Sequence, residues 1–363
     1  MSSPLPEMME NLIVDGTKVG WWKERIMAWQ RGERIAPVTV DCAMTRRCQA
    51  ACDFCYASLQ ASEGGQITKQ NFFDFLNDAA EIGVKGVSFI SDGESTLAPW
   101  YADAVEHAAS LGLKVTKDVL ERVLPHLSYL RFNFSAGDRK RYAEIMGVAQ
   151  HCYDDVIQNI KDGMSIINRD GLGCTLNMQL VCDPKDADQL TPFARLACDL
   201  RPTYAVIKHC ADDVEGHLKV DYSKYEALEA TFDLIERMGR EAGVRIDVKR
   251  GRMDGKRIYS KCFGPPFITQ VSGNGTVAPC GFMFNEKYKA FHMGNITTRR
   301  YKDIFYDPRY KEVMDYLGSD NFDPRSRCGP NCLQHNTNTF LFNHVNGQVP
   351  LPMTEPPPHL EFL

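Results

Sequence analysis

The chain has 363 residues, 44% of them hydrophobic, and a formal net charge of −5. That is enough apolar material for one large domain and a smaller one. The acidic balance offers no field for a phosphate backbone and speaks against nucleic acid. No stretch nears the roughly 18 apolar residues that span a bilayer. The start lacks a basic segment followed by an apolar run, so no signal peptide and a cytoplasmic location are expected. Thirteen cysteines, an odd number without a secretion signal, argue against a disulfide framework and for thiolate ligands or reactive thiols.

Residues 1–35 read as a helical lead-in, with Trp21, Trp22, Ile26 and Trp29 at helical spacing as a packing stripe over 8–32. From residue 36 to 250 strands alternate with helices. A strand over 38–44 is followed by a helix capped by Thr68, striped by Phe72, Phe75, Leu76 and Ala79, and stopped at Gly83. Further strands are expected at 84–91, 127–135, 174–182 and 204–210, and a helix striped by Tyr225, Leu228, Phe232, Ile235 and Met238 ends at Gly243. Between them, Leu113–Lys117 reads as a truncated strand running into a helix near Asp118. Such alternation implies an α/β fold with a parallel sheet, and its length a barrel-like core.

After Arg250 the character changes. Gly273-Asn274-Gly275 predicts a hairpin between 267–271 and 276–279, and a helix is expected over 301–317. The segment 251–345 is small for a core of its own and holds Cys262, Cys280, Cys328 and Cys332, so a metal staple would compensate. The tail 346–363, with Pro350, Pro352 and Pro356 to Pro358, is expected to lie extended over the surface.

The most informative segment is Cys48-Gln-Ala-Ala-Cys52-Asp-Phe-Cys55, in the loop after the first strand. Three thiolates at these spacings can hold three corners of a 4Fe–4S cube and leave one iron open to a small molecule. The alternative is zinc, whose structural sites take four ligands, and no fourth Cys or His is adjacent.

The spacing Cys-x3-Cys-x2-Cys, with Phe54 before the third cysteine, resembles the radical S-adenosylmethionine (SAM) superfamily. The resemblance implies a partial (β/α)6 TIM-like barrel. It also implies that the cluster on Cys48, Cys52 and Cys55 chelates SAM and cleaves it reductively to a 5′-deoxyadenosyl radical that takes hydrogen from a substrate. Ser91-Asp92-Gly93-Glu94-Ser95 resembles the family's Gly-Gly-Glu-Pro motif, which implies SAM contacts from Gly93, Glu94 and Ser95 and makes Glu94 the acceptor for the SAM ammonium. Asp92 and Ser95 depart from the usual Gly and Pro. Ser135 resembles a serine that contacts SAM at the end of the fourth strand. The Thr-Asn-Gly usual after the third strand is missing.

Cys262, twelve residues, Gly275, four residues and Cys280 resemble the start of a SPASM or Twitch extension, and Met293-Gly294-Asn295-Ile296 resembles its Gly-Asn-Ile turn. With Cys328 and Cys332 this implies one closed auxiliary 4Fe–4S cluster in a small C-terminal Twitch/SPASM-like domain; a zinc ribbon is the bland alternative. The segment 29–37 and the ending Pro358-His-Leu-Glu-Phe-Leu363 resemble SPASM-like enzymes of sugar and natural-product biosynthesis. They favour a small polar substrate, oxidised or epimerised, with flavodoxin or ferredoxin as electron donor. Peptide crosslinking, sulfur insertion and a SAM-binding sensor are the alternatives. Cys210, at the end of its strand, is the candidate hydrogen-atom donor, with Lys208 on the same strand face as a substrate-binding or proton-transfer group and Cys182 as second candidate. The bland reading makes both thiols core residues.

Overall fold

Strands and helices alternate from residue 39 onward. The computed structural model describes residues 11–60, 65–111 and 120–363. The expected strand Leu113–Lys117 and the first residues of the lead-in lie outside the described residues. Two groups of parallel strands form the wall of a partial barrel. β1 (Thr39–Cys42) pairs with β2 (Gly86–Ser88). β3 (Tyr129–Asn133), β4 (Thr175–Cys182), β5 (Tyr204–His209) and β6 (Ile246–Val248) pair in sequence order. Parallel neighbours need a crossover, and helices supply it: Lys69–Ile82 before β2, Leu190–Leu200 before β5 and Glu229–Ala242 before β6. Parallel pairing brings the C-terminal strand ends, and the loops that follow them, to one rim.

Local signals set the helix limits. Thr68 accepts from the backbone N–H of Asn71, whose side chain in turn accepts from Thr68 N–H, and Gly83 ends the helix at φ 100°. Phe72, Phe75, Leu76 and Ala79 face the core. Thr68→Ala should therefore lower stability by about 1 kcal/mol, read as a lower denaturation midpoint at unchanged m-value. Gly243, at φ 70°, ends Glu229–Ala242 in the same way.

All eight residues of β4 are buried, yet they alternate in chemistry. Leu176, Met178, Leu180 and Cys182 join the core beneath the helices, whereas Asn177, Gln179 and Val181 face the barrel lumen.

The predicted hairpin forms from β7 (Ile268–Val271) and β8 (Thr276–Ala278), followed by β9 (Gly294–Asn295). β7 also pairs in parallel with β1, so the C-terminal segment shares the barrel's sheet. This covers an edge of β1 whose ladder groups would otherwise lack partners. At the turn, a Cβ on Gly273 would lie 2.3 Å from the carbonyl carbon of Thr45, so only glycine lets the hairpin approach the cysteine loop.

Three expectations are corrected. The lead-in is a 3-10 turn, Gly16–Trp21, and a separate helix, Lys23–Gln30. Gly16 and Gly20 press against Thr337 and Phe340 of the helix His335–Val345, which the sequence reading did not anticipate. The helix expected over 301–317 is two, Tyr301–Tyr306 and Pro308–Leu317, because Asp307 is extended and caps the second, with proline at its first position. The tail does not stay on the surface. Phe362 is buried, Trp22 Nε1 donates to the Leu360 carbonyl, and Thr39 Oγ1 donates to that of Glu361.

Candidate active site

The lumen of the barrel is a cavity of about 1370 Å³. Cys48, Cys52 and Cys55 lie on its wall, in the loop leaving β1. Burial, then Cys55 and Cys48 beside it, pushes the Cys52 thiol up to about 12. Thiols that raise one another's pKa are thiols that a cationic metal core would stabilise as thiolates.

Ser91, Gly93 and Glu94 line the same cavity in the loop after β2. Gly93 sits at φ 125°, and a Cβ there would meet the Thr45 carbonyl oxygen at 2.1 Å. Glu94 N donates to the Arg47 carbonyl at 2.8 Å, and its carboxylate accepts from Thr96 N and Oγ1 at 3.1 and 2.9 Å. Ser95 is buried, and its hydroxyl accepts from Met44 N at 3.3 Å. The departure at Asp92 has a structural account. Its buried carboxylate accepts from Ser272 Oγ at 2.6 Å and Gly273 N at 2.8 Å, and pairs with Arg46 at 3.1 Å. It thereby ties this loop both to the hairpin and to the cysteine loop. Ser135 is buried and accepts from Val181 N at 3.2 Å, which places it between β3 and β4.

The second set converges as well. Cys262, Cys280, Cys328 and Cys332 are half-buried; burial and mutual proximity push Cys262 well above its usual value, and burial pushes Cys328 up to about 12. Asn338 Nδ2 donates to Cys332 Sγ at 3.7 Å. The rings of Tyr56, next to Cys55, and Phe282, two residues beyond Cys280, meet at 4.7 Å. Both donor sets fit iron–sulfur clusters in the chemistry of their thiols, and the buried, unpartnered Ser91 hydroxyl beside Glu94 fits a polar ligand there.

Of the three residues expected at the substrate, Lys208 is on the cavity wall. Burial, then Arg131 and Arg252, pulls its ammonium down to about 7. Cys182 faces the core, and the Cys210 thiol lies 4.0 Å from the Phe54 carbonyl, behind the wall. Tyr225 joins their backbones: its hydroxyl accepts from Cys210 N at 2.9 Å and donates to the Cys182 carbonyl. Asp212 and Asp213 organise the loop after β5, taking Leu218 N at 3.0 Å and His217 Nδ1 at 2.6 Å.

Several lumen residues were missed from sequence. Asp41, Arg131 and Gln270 project inward from β1, β3 and β7, and Arg252 reaches in after β6. Burial pushes Asp41 up to about 6, against bonds from Ser88 and Gln270 and the charge of Arg131. The signal was present as polar residues at every second strand position.

Residues 262–333 match the iron–sulfur cluster-binding SPASM domain. A protein from Flammeovirga pacifica, described as an S-adenosylmethionine-dependent nucleotide dehydratase, is 29% identical over 87 residues, covering 23% of this chain and 29% of that protein. SuiB of Streptococcus suis bound to S-adenosylmethionine aligns with TM-score 0.59 and 18% identity over 81% of this chain and 72% of that one. The protein anSMEcpe with bound AdoMet aligns with TM-score 0.55 and 12% identity over 85% of this chain and 97% of that one. No helix among the described residues is long and apolar enough to cross a membrane. Residues 262–333 thus form an iron–sulfur cluster-binding SPASM domain, and the chain shares its fold with SuiB and anSMEcpe, two proteins solved with S-adenosylmethionine bound.

Proposed function

We propose that this chain reductively cleaves SAM and abstracts hydrogen from a small polar substrate held in the barrel, and that the substrate radical then loses a proton and one electron, which the cluster that Cys262, Cys280, Cys328 and Cys332 would hold could accept, to give an oxidised product. One observation carries the reading: the cysteine triad and the Glu94 loop share the wall of one cavity, whose mixed lining includes polar side chains such as Asp41, Asn177 and Gln179. When bound, the cluster and SAM supply a carbon radical that removes a hydrogen atom from the substrate. Cys48, Cys52 and Cys55 hold the cluster, and the Glu94 carboxylate takes the SAM ammonium. The strand walls hold water away. Lys208, with an ammonium near neutrality, can bind a substrate oxygen or exchange a proton with it at Nζ. Cys210 and Cys182 lie behind the wall, which favours oxidation over epimerisation by thiol hydrogen donation. An electron donor such as flavodoxin or ferredoxin would reduce the cluster. Anaerobically reconstituted, reduced protein should convert SAM to 5′-deoxyadenosine and methionine; SAM left intact with both clusters present would overturn the reading.

Peptide modification is the second reading. It is favoured by the likeness to SuiB bound to its precursor peptide, with TM-score 0.60 over 94% of this chain. Transfer of deuterium from a labelled sugar or nucleoside, rather than a peptide, into 5′-deoxyadenosine separates the two.

Glu94→Ala should weaken SAM binding by about 1.5–3 kcal/mol, the worth of a hydrogen bond to a charged group, with both clusters retained. Because Glu94 also holds Thr96, Glu94→Gln isolates the charge: it keeps an acceptor for that turn. Unchanged SAM affinity in both variants would show that this loop does not hold the methionine end.

A further inference from the structure

We infer that Arg131, Lys208 and Arg252 form a binding site in the barrel lumen for a phosphate monoester group on the substrate. The inference deepens the proposed function and rests on its placing of the substrate in this cavity.

The three cations come from β3, β5 and the turn after β6, and all line the cavity. None has an ion-pair partner among the described residues. Lys208 makes no side-chain hydrogen bond among them either, and the buried Nε atoms of Arg131 and Arg252 are without acceptors. Among the described residues the Arg131 guanidinium makes one hydrogen bond, to Tyr129 Oη at 3.3 Å. Buried cations without anions are costly, and like charges brought together more so.

The carboxylates along the cavity are engaged elsewhere. Asp41 accepts from Gln270 Nε2 at 3.0 Å, Asp92 from the hairpin, Glu94 from Thr96, and Asp15 from Thr17 N at 2.9 Å. Arg252 also faces Cys332 of the second cysteine set, so its charge is shared. Arg131, whose charge is felt by Asp41 without an ion pair between them, and Lys208, which an arriving anion would hold in its ammonium form, remain as two cationic groups facing the lumen.

A phosphate monoester carries close to two negative charges at neutral pH and three strong acceptor oxygens. That matches two cations, one of them a planar guanidinium fork suited to phosphate oxygens. A monocarboxylate would leave one cation uncompensated. Asn177 Oδ1 and Gln270 Oε1 are also buried without partners and line the same cavity, from β4 and β7. They offer hydrogen-bonding capacity for the hydroxyls of a phosphorylated polyol or sugar. Arg131 sits low in the lumen, pairing in register with Asn177, and Asn177 with Tyr204 at the start of β5; Lys208 lies four residues further along β5, level with Val181 and toward the rim.

The test is calorimetric titration of the anaerobically reconstituted enzyme, saturated with SAM, with inorganic phosphate and with acetate. Phosphate should bind, acetate about tenfold or more weakly, and Arg131→Met and Lys208→Met should each weaken phosphate by about tenfold or more. Lys208→Arg should restore most of the affinity, which keeps the test decisive if Arg131→Met does not fold. Lack of phosphate binding, equal affinity for acetate, or unchanged affinity in Lys208→Met overturns the site. Loss of phosphate binding on SAM saturation also overturns it, because the cations would then belong to the SAM carboxylate. Release of 5′-deoxyadenosine is measured separately in the same preparation, so failure of the proposed reaction is distinguishable from failure of the anion site.

Discussion

Replacing Cys48, Cys52 and Cys55 together by alanine is expected to abolish SAM cleavage while leaving about half of the iron. Two cubes require about eight irons and eight sulfides per chain, and one cube about four. The second set should survive the triple change because other elements hold it: Cys262 donates its N–H to the Leu317 carbonyl, and Cys280 follows β8. The packing cost should be small, since Cys48 is exposed and Cys52 and Cys55 are only half-buried. The loss should therefore fall on chemistry and not on folding. Iron and acid-labile sulfide assays, with chromatographic detection of 5′-deoxyadenosine, provide the measurement. Four irons and one equivalent of zinc in the unaltered protein would overturn the second cluster, and residual SAM cleavage in the variant would overturn the first.

The elements most legible in sequence were those in which several local signals agreed. Thr68 and Gly83 bracket a striped helix, and Gly273-Asn274-Gly275 sits between two β-rich runs; both formed at the expected positions. The cysteine spacings were legible because metal geometry constrains sequence directly. What the sequence did not reveal was tertiary. The pairing of β7 with β1 joins residues over 220 positions apart, and no local pattern encodes such a register. The tail reads as solvent-exposed from its prolines, yet the apolar end at Phe362 is buried and packs edge-on to Tyr129 at 5.4 Å.

The lumen was a different kind of omission. Asp41, Arg131, Asn177 and Gln179 alternate with apolar residues along their strands. In a sheet with one face in water that pattern means polar-out. Here helices cover the outer face, so the same alternation means a polar interior. Asp92 was legible only as a departure from a motif, and its reason appeared once the hairpin stood beside it.

That reason gives the second large expected effect: Asp92→Ala should lower stability by about 3 kcal/mol and weaken SAM binding by about tenfold or more, with Glu94 itself intact. The carboxylate is buried, and burial raises its pKa against the bonds from Ser272 and Gly273 and the charge of Arg46. Removing it strands the Ser272 hydroxyl and the Gly273 N–H and takes the counter-charge from Arg46, which keeps its bond to the Gln60 carbonyl at 2.7 Å. Breaking a buried charged pair costs about 3–5 kcal/mol, and the lower end applies because Arg46 is 30% exposed. The effect should reach SAM because the loop has little freedom of its own. Gly93 is wedged against Thr45 and Arg46, and Glu94 N is fixed to the Arg47 carbonyl. Releasing the Asp92 clamp should let the Glu94 carboxylate move with the loop. Hydrogen exchange at Gly273 and Gly275 should accelerate in parallel, since the hairpin loses the same anchor. Asp92→Asn, which keeps an acceptor but not the charge, should fall between the two. If Asp92→Ala binds SAM normally and the exchange at the hairpin is unchanged, then the loop and the hairpin are positioned independently, and the substitution of aspartate for glycine in this motif has no part in joining the two cysteine sets.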